Sequence, residues 1–240
     1  YGEIELHLHH GKAVADTPEN LEKTINQCII EYSKFGIFGT ENGKQKYGFI
    51  HGDWALDNSR GGKYCGVNNE ISILSRTGCY ADFTFPSMNE SNPKKINSIY
   101  YVKDDPIKPK SHDKGIDVNT FKKQNGELMI IEGPLFSLRI ENKLPGVRVR
   151  GDFIDGKPPV TKERIDAWIK TGISVRGKEE WIIVKTHTHG ATDYEAALGP
   201  EIDEIFSYIE TKYNDGINYI LHYVTARELY NIIKAAEAGE

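Results

Sequence analysis

The stretch Glu3-Ile4-Glu5-Leu6-His7-Leu8-His9-His10 decides the fold class. Polar and apolar residues alternate in it with period two, so it reads as a β-strand with two unlike faces, and His7 and His9 share one of them. The next segment is helical. Asp16-Thr17-Pro18-Glu19 supplies a cap, a proline near the first helical position and an acidic first turn, and Leu21, Ile25, Cys28, Ile29 and Tyr32 carry the helix to Phe35. The same order recurs after the Asn42-Gly43 turn, with a strand from Tyr47 to His51, a helix from Asn69 to Arg76 and a strand from Cys79 to Phe85. An irregular, β-rich excursion spans about 86–160, with apolar runs at Ile99 to Val102, Leu128 to Ile131 and Val147 to Val149. Beyond it the pattern predicts a helix Thr161 to Lys170, a strand Trp181 to His187, a helix Glu201 to Tyr213 and a strand Ile217 to Tyr223. A last helix starts at Thr225, with Glu228 completing a capping box.

Strands separated by helices imply parallel pairing with right-handed crossovers, hence an α/β barrel or a doubly wound sheet within one domain, 1–240. Both architectures collect functional groups at the C-terminal ends of the strands. Composition narrows the class further. The chain has 240 residues, 38% hydrophobic and 27% charged, with a formal charge of −5, which excludes disordered and low-complexity chains. Lys and Arg are scattered among acidic neighbours, which argues against nucleic acid as a partner. No apolar run approaches the roughly 18 residues of a membrane span. Three cysteines without a CxxC pair read as free thiols in a reducing compartment, and the expected location is cytoplasmic. The strand pattern begins at once after Tyr1-Gly2, so a preceding strand is expected upstream.

Seven of the eight histidines fall at or near predicted strand ends: His7, His9 and His10, then His51, then His187 and His189, and finally His222. Neutral imidazole is the commonest metal ligand, and zinc takes three or four N or O donors. His7, His9, His10 and His51 are therefore candidate ligands of a divalent metal, with zinc the ion of choice. Asp53 and Asp82 are candidate metal ligands, orienters of a ligating histidine or catalytic general bases on a metal-bound water, with a turn role after Gly52 as the other reading of Asp53. Lys185, His187 and His189 share a strand face, and Trp54 and Lys185 are candidate substrate contacts.

These residues resemble a family. Glu3 to His10 is similar to the strand-and-histidine motif of the NodB-like polysaccharide deacetylases, carbohydrate esterase family four. Phe49-Ile50-His51-Gly52-Asp53-Trp54 falls where that family lines its groove, and Cys79 to Phe85 falls at its Asp-containing strand. Ile182 to His189 resembles its late Leu-x-His strand, and Tyr219 to Thr225 resembles its closing strand and helix. The resemblance implies a distorted (β/α) barrel of about seven strands and a mononuclear divalent metal that activates water against an N- or O-acetyl group of a polysaccharide or oligosaccharide. It implies His7 with His9 or His10 as ligands, and His187 or His189 as the acid that protonates the leaving group. The family's Asp-Asp pair, one ligand and the general base, has no counterpart here, and its place would be upstream of Tyr1. Three other readings stand beside this one: an amidohydrolase or PHP-type phosphoesterase with two metals, a glycan-binding barrel with a degraded site, and a metal-free, His-rich barrel.

Overall fold

A computed structural model describes residues 2–139, 147–154, 160–189 and 194–240. Within the span read as one domain the chain divides into two compact units, Tyr1–Glu132 with Ser174–Trp181 and Val224–Glu240, and Gly133–Ile173 with Ile182–Tyr223.

The first unit is a mixed α/β layer. Its strands are β1 (Leu6–Leu8), β2 (Gly39–Glu41), β3 (Lys44–His51), β4 (Cys79–Asp82), β5 (Ile99–Val102), β6 (Ile116–Asp117) and β7 (Leu128–Ile131). They form one seven-stranded sheet in the order β1-β3-β4-β7-β5-β6, with β2 paired to β3 outside that path. The run β1-β3-β4-β7 is parallel, whereas β5 and β6 add antiparallel pairs. The sheet is not closed into a barrel. The order corrects one reading. Leu128 to Ile131 is not part of an excursion but an interior strand, and Leu128, Met129, Ile130 and Ile131 are all buried, as expected of a strand covered on both faces.

Two helices pack against the sheet. α1 (Pro18–Ser33) starts at Thr17, whose side chain accepts the Asn20 N–H, and it buries Leu21 and Ile25, one turn apart. α2 (Glu70–Thr77) ends on Gly78 at φ 108°, a left-handed position that suits glycine. Both pack with Tyr47, Phe49, Leu56, Ile71 and Leu74 in one core. α6 (Ala226–Ala238) returns to this unit and carries the predicted capping box, Thr225 with Glu228.

The second unit contains the hairpin β8 (Phe136–Arg139) with β9 (Val147–Arg150), and helices α3 (Lys162–Lys170), α4 (Tyr194–Leu198) and α5 (Pro200–Lys212). Its own core is Val160, Ile165, Trp168, Ile202, Ile205 and Tyr213. Two predicted strands are absent as strands. At Ile217 to Tyr223 the carboxylate of Asp215 accepts the N–H groups of Ile217, Asn218 and Tyr219, a local turn that competes with ladder pairing, and Ile217 and Ile220 stand exposed. Trp181 to His187 changes unit after Trp181, and its strand-like pairing is reduced to a bridge between Phe153 and His187.

Candidate functional site

Parity along the strands sorts the four N-terminal site histidines. In the β1–β3 register Leu6 faces Phe49, His7 faces Ile50 and Leu8 faces His51. Leu6, Leu8 and Phe49 belong to the core, so His51 lies on the core side and His7 on the open side. The alternation carries past the end of β1, where His9 joins His7 and His10 joins His51. The result is two pairs, one exposed and one buried.

In the exposed pair the Nε2 atoms of His7 and His9 lie 3.0 Å apart. Nδ1 of His9 bonds the Asp53 carboxylate at 2.9 Å, which holds the ring and leaves Nε2 directed at His7. The His9 side chain is 49% exposed and Asp53 31%, so solvent reaches this group. Gly52 makes the arrangement possible, because a Cβ there would come within 2.4 Å of the His9 ring. Trp54 is half-buried against the core.

In the buried pair Nε2 of His10 meets Glu70 Oε1 at 3.0 Å and Nε2 of His51 approaches the same oxygen at 3.5 Å. Asp16 holds Nδ1 of His10 at 2.9 Å, and Gly52 O accepts from Nδ1 of His51 at 2.6 Å. The thiol of Cys65 points at Glu70 Oε2, 3.3 Å away, and the same oxygen accepts the Asp57 N–H at 2.6 Å. The donor atoms of His10, His51, Cys65 and Glu70 lie within 4.8 Å of one another and could hold a metal ion. Burial alone would raise the Glu70 carboxyl, but the two imidazoles outweigh it and hold the group below its usual range. Burial lowers His10, yet the Glu70 and Asp16 carboxylates bring it above the usual imidazole value. His51, more deeply buried, is pushed down by desolvation in spite of Glu70. Burial, with the Glu70 charge beside it, pushes the Cys65 thiol up, so without a cation this cysteine is protonated.

The connector from β3 to α2 is conformationally unusual. Asp53, Trp54, Asp57 and Asn58 all have positive φ, between 51° and 57°, and Tyr64 has φ 64°. Such a concentration of left-handed non-glycine residues persists only where the surroundings impose it, and it is typical of functional segments. Asp57 is buried inside the turn, where desolvation pushes its carboxyl up to about 8 against the opposing bond from the Ser111 N–H. Asp82, the other predicted carboxylate, is fully buried and accepts from both the N–H and the hydroxyl of Thr84. The Thr84 hydroxyl oxygen in turn accepts the His51 N–H at 2.8 Å. Its place is therefore behind His51, as an anchor of the backbone.

His187, His189 and Lys185 belong to the second unit. There Asp152, 1% exposed, binds Lys185 Nζ at 3.0 Å and His187 Nδ1 at 2.9 Å, and the rings of His187 and His189 lie 5.3 Å apart. Burial would raise Asp152, but Lys185 and His187 more than offset it and hold the carboxyl low. The shared face expected of Lys185 and His187 is thus present around one carboxylate.

Asp16, Cys65, Glu70 and Asp152 were not among the sequence candidates. Asp16 reads as a helix cap, but Thr17 makes the cap and frees Asp16 for His10. A signal for the others was present in part: Cys65 and Glu70 flank a Gly-Val-Asn-Asn run that ends at a helix start, where the dipole favours an acidic side chain. No protein-family model matches the chain, and comparison with curated proteins and with solved structures finds no match.

Proposed function

We propose that this protein is a metal-dependent hydrolase that removes N- or O-acetyl groups from a polysaccharide or oligosaccharide. The observation that carries the reading is the solvent-open His7–His9 pair with Asp53 behind it, at the C-terminal edge of parallel strands. His7 and His9 would hold the ion, and the donor set fits, since two converging imidazoles with a carboxylate on the far ring nitrogen leave positions open for water and substrate. A bound zinc or similar divalent ion lowers the pKa of water and polarises the acetyl carbonyl. Asp53 fixes the tautomer and orientation of His9 and raises the basicity of its Nε2, the role of a carboxylate behind a ligating imidazole. Trp54 sits next to Asp53 and offers a flat apolar surface of the kind on which sugar rings stack.

The deacetylase assignment and the distorted barrel come from the resemblance to NodB-like enzymes. The parallel run β1-β3-β4-β7, alternating with helices over its first strands, is a mixed α/β arrangement of the general class that the resemblance implies. The reading rests on first-unit residues, and His187 and His189 enter it through the resemblance only. Acetate release from an acetylated chito-oligosaccharide in the presence of Zn2+ tests it. Asp53→Asn is expected to lower turnover or metal affinity about 10–100-fold. Turnover unchanged in the His7→Ala, His9→Ala double variant would overturn the assignment.

A further inference from the structure

The buried quartet has two features that a bound cation would account for. First, His51 donates from Nδ1 to Gly52 O, which leaves a lone pair on Nε2. That atom is buried with no hydrogen-bond partner, and it faces the Glu70 carboxylate at 3.5 Å. Two acceptors so placed repel each other unless a proton or a metal cation lies between them. Second, the sulfur of Cys65 receives the backbone N–H groups of both Asn58 and Val67, each at 3.4 Å. Two amide donors on one sulfur suit a thiolate better than a thiol, and a cation among the four groups would offset the burial that opposes it.

We infer that His10, His51, Cys65 and Glu70 form a closed binding site for one divalent cation of borderline softness, of the zinc class, separate from the His7–His9 pair. Two imidazoles, a thiolate and a carboxylate make a four-donor set suited to tetrahedral zinc and unsuited to magnesium or calcium, which prefer oxygen. The outer contacts match those of metal-bound histidines: a carboxylate, Asp16, on one ring and a backbone carbonyl, Gly52 O, on the other. The four residues come from the end of β1, the end of β3, the connector and the first position of α2, so an ion here would clamp the left-handed segment 53–64 between strand and helix. With three side chains buried and that of His10 only 7% exposed, the site leaves no open place for substrate, which makes it structural. Binding sends the Cys65 thiol proton, and any proton shared between His10 and Glu70, to solvent. A rival arrangement, a charged His10 bridging Asp16 and Glu70 without metal, leaves His51 Nε2 facing the carboxylate.

The inference does not depend on the hydrolase reading. Metal-free protein without a His tag, titrated with Co2+ alone, should develop a near-ultraviolet thiolate-to-cobalt charge-transfer band at one equivalent. The band should vanish in Cys65→Ser and survive in the His7→Ala, His9→Ala double variant. If Cys65→Ser does not fold, the Cys28→Ser, Cys79→Ala double variant decides, because Cys65 is then the remaining thiol and the band must persist. Absence of the band in the wild type, its survival in folded Cys65→Ser, or its loss when Cys28 and Cys79 are replaced would overturn the site.

Discussion

Glu70 concentrates more of the site's electrostatics than any histidine does. It is a fully buried carboxylate at the first position of α2 that takes the Asp57 N–H, the Cys65 thiol and His10. Removing one member of such a set strands the others, so Glu70→Ala is expected to cost about 3–5 kcal/mol in urea unfolding, whereas a surface glutamate such as Glu201 should cost under about 1 kcal/mol. His112 gives a separate test by pH. It is buried against Phe85, and desolvation lowers its pKa from 6.5 to about 4. Between those values the unfolded chain binds a proton that the folded one does not, so stability is complete above about pH 6.5 and falls by up to about 3 kcal/mol as the pH drops to 4. His112→Gln should flatten that slope in urea midpoints taken at pH 4.5 and 7. His112 is the one histidine that the sequence pattern places away from the strand ends, and it packs in the core. That His7 and His9 share a face is already legible in the alternation of β1, whereas the pairing of His10 with His51 across β1 and β3 is not. Their separate partners are not legible there, because Asp16 comes from the loop before α1 and Glu70 from the start of α2, and no local pattern shows that the fold brings both to His10.

At the level of elements, residues before and after a strand decide whether it forms. β3 and β4 are readable because they alternate or bury apolar residues between clear turns. Ile217 to Tyr223 has the same apolar content, but Asp215 captures its first amides and no ladder forms. The run Leu128-Met129-Ile130-Ile131 is legible as β structure, but the interior place of β7 is not, since a four-residue run gives no sign of which neighbours flank it. Gly52 links element geometry to chemistry. Gly52→Ala puts a methyl group into the His9 ring, so metal bound at the exposed pair and acetate release should both fall in a protein whose far-ultraviolet circular dichroism is unchanged. By contrast Thr225→Ala removes only the α6 cap and should cost about 1 kcal/mol in thermal unfolding with activity retained.

At the scale of the whole molecule, the two units carry separate cores, and each should respond to its own substitutions. Trp168 is 2% exposed in the second core, so Trp168→Ala is expected to remove about 3–5 kcal/mol there. Hydrogen exchange should then quicken in α3 and α5 while the amides of β3, β4 and β7 keep their protection, and a uniform loss across both units would contradict the division. Read locally, the chain is one continuous strand-and-helix series, because each local pattern is ordinary. The excursions of the chain, out after Glu132 and back for Ser174–Trp181 and again from Val224, are long-range facts that no local pattern encodes.

That itinerary sets a timetable during synthesis. The helix that closes the first unit, α6, docks its Glu237 on Tyr101 and the Phe121 amide and its Arg227 on Glu3. A ribosome working at 5–20 residues per second delivers α6 roughly 5–20 s after β7 has emerged. All segments of the second unit leave the tunnel in that interval. The nascent first unit, with its metal-ligand candidates already translated, must wait half-built while the later-encoded unit finishes, and this is the period in which a chaperone or an early-bound ion would have its greatest effect.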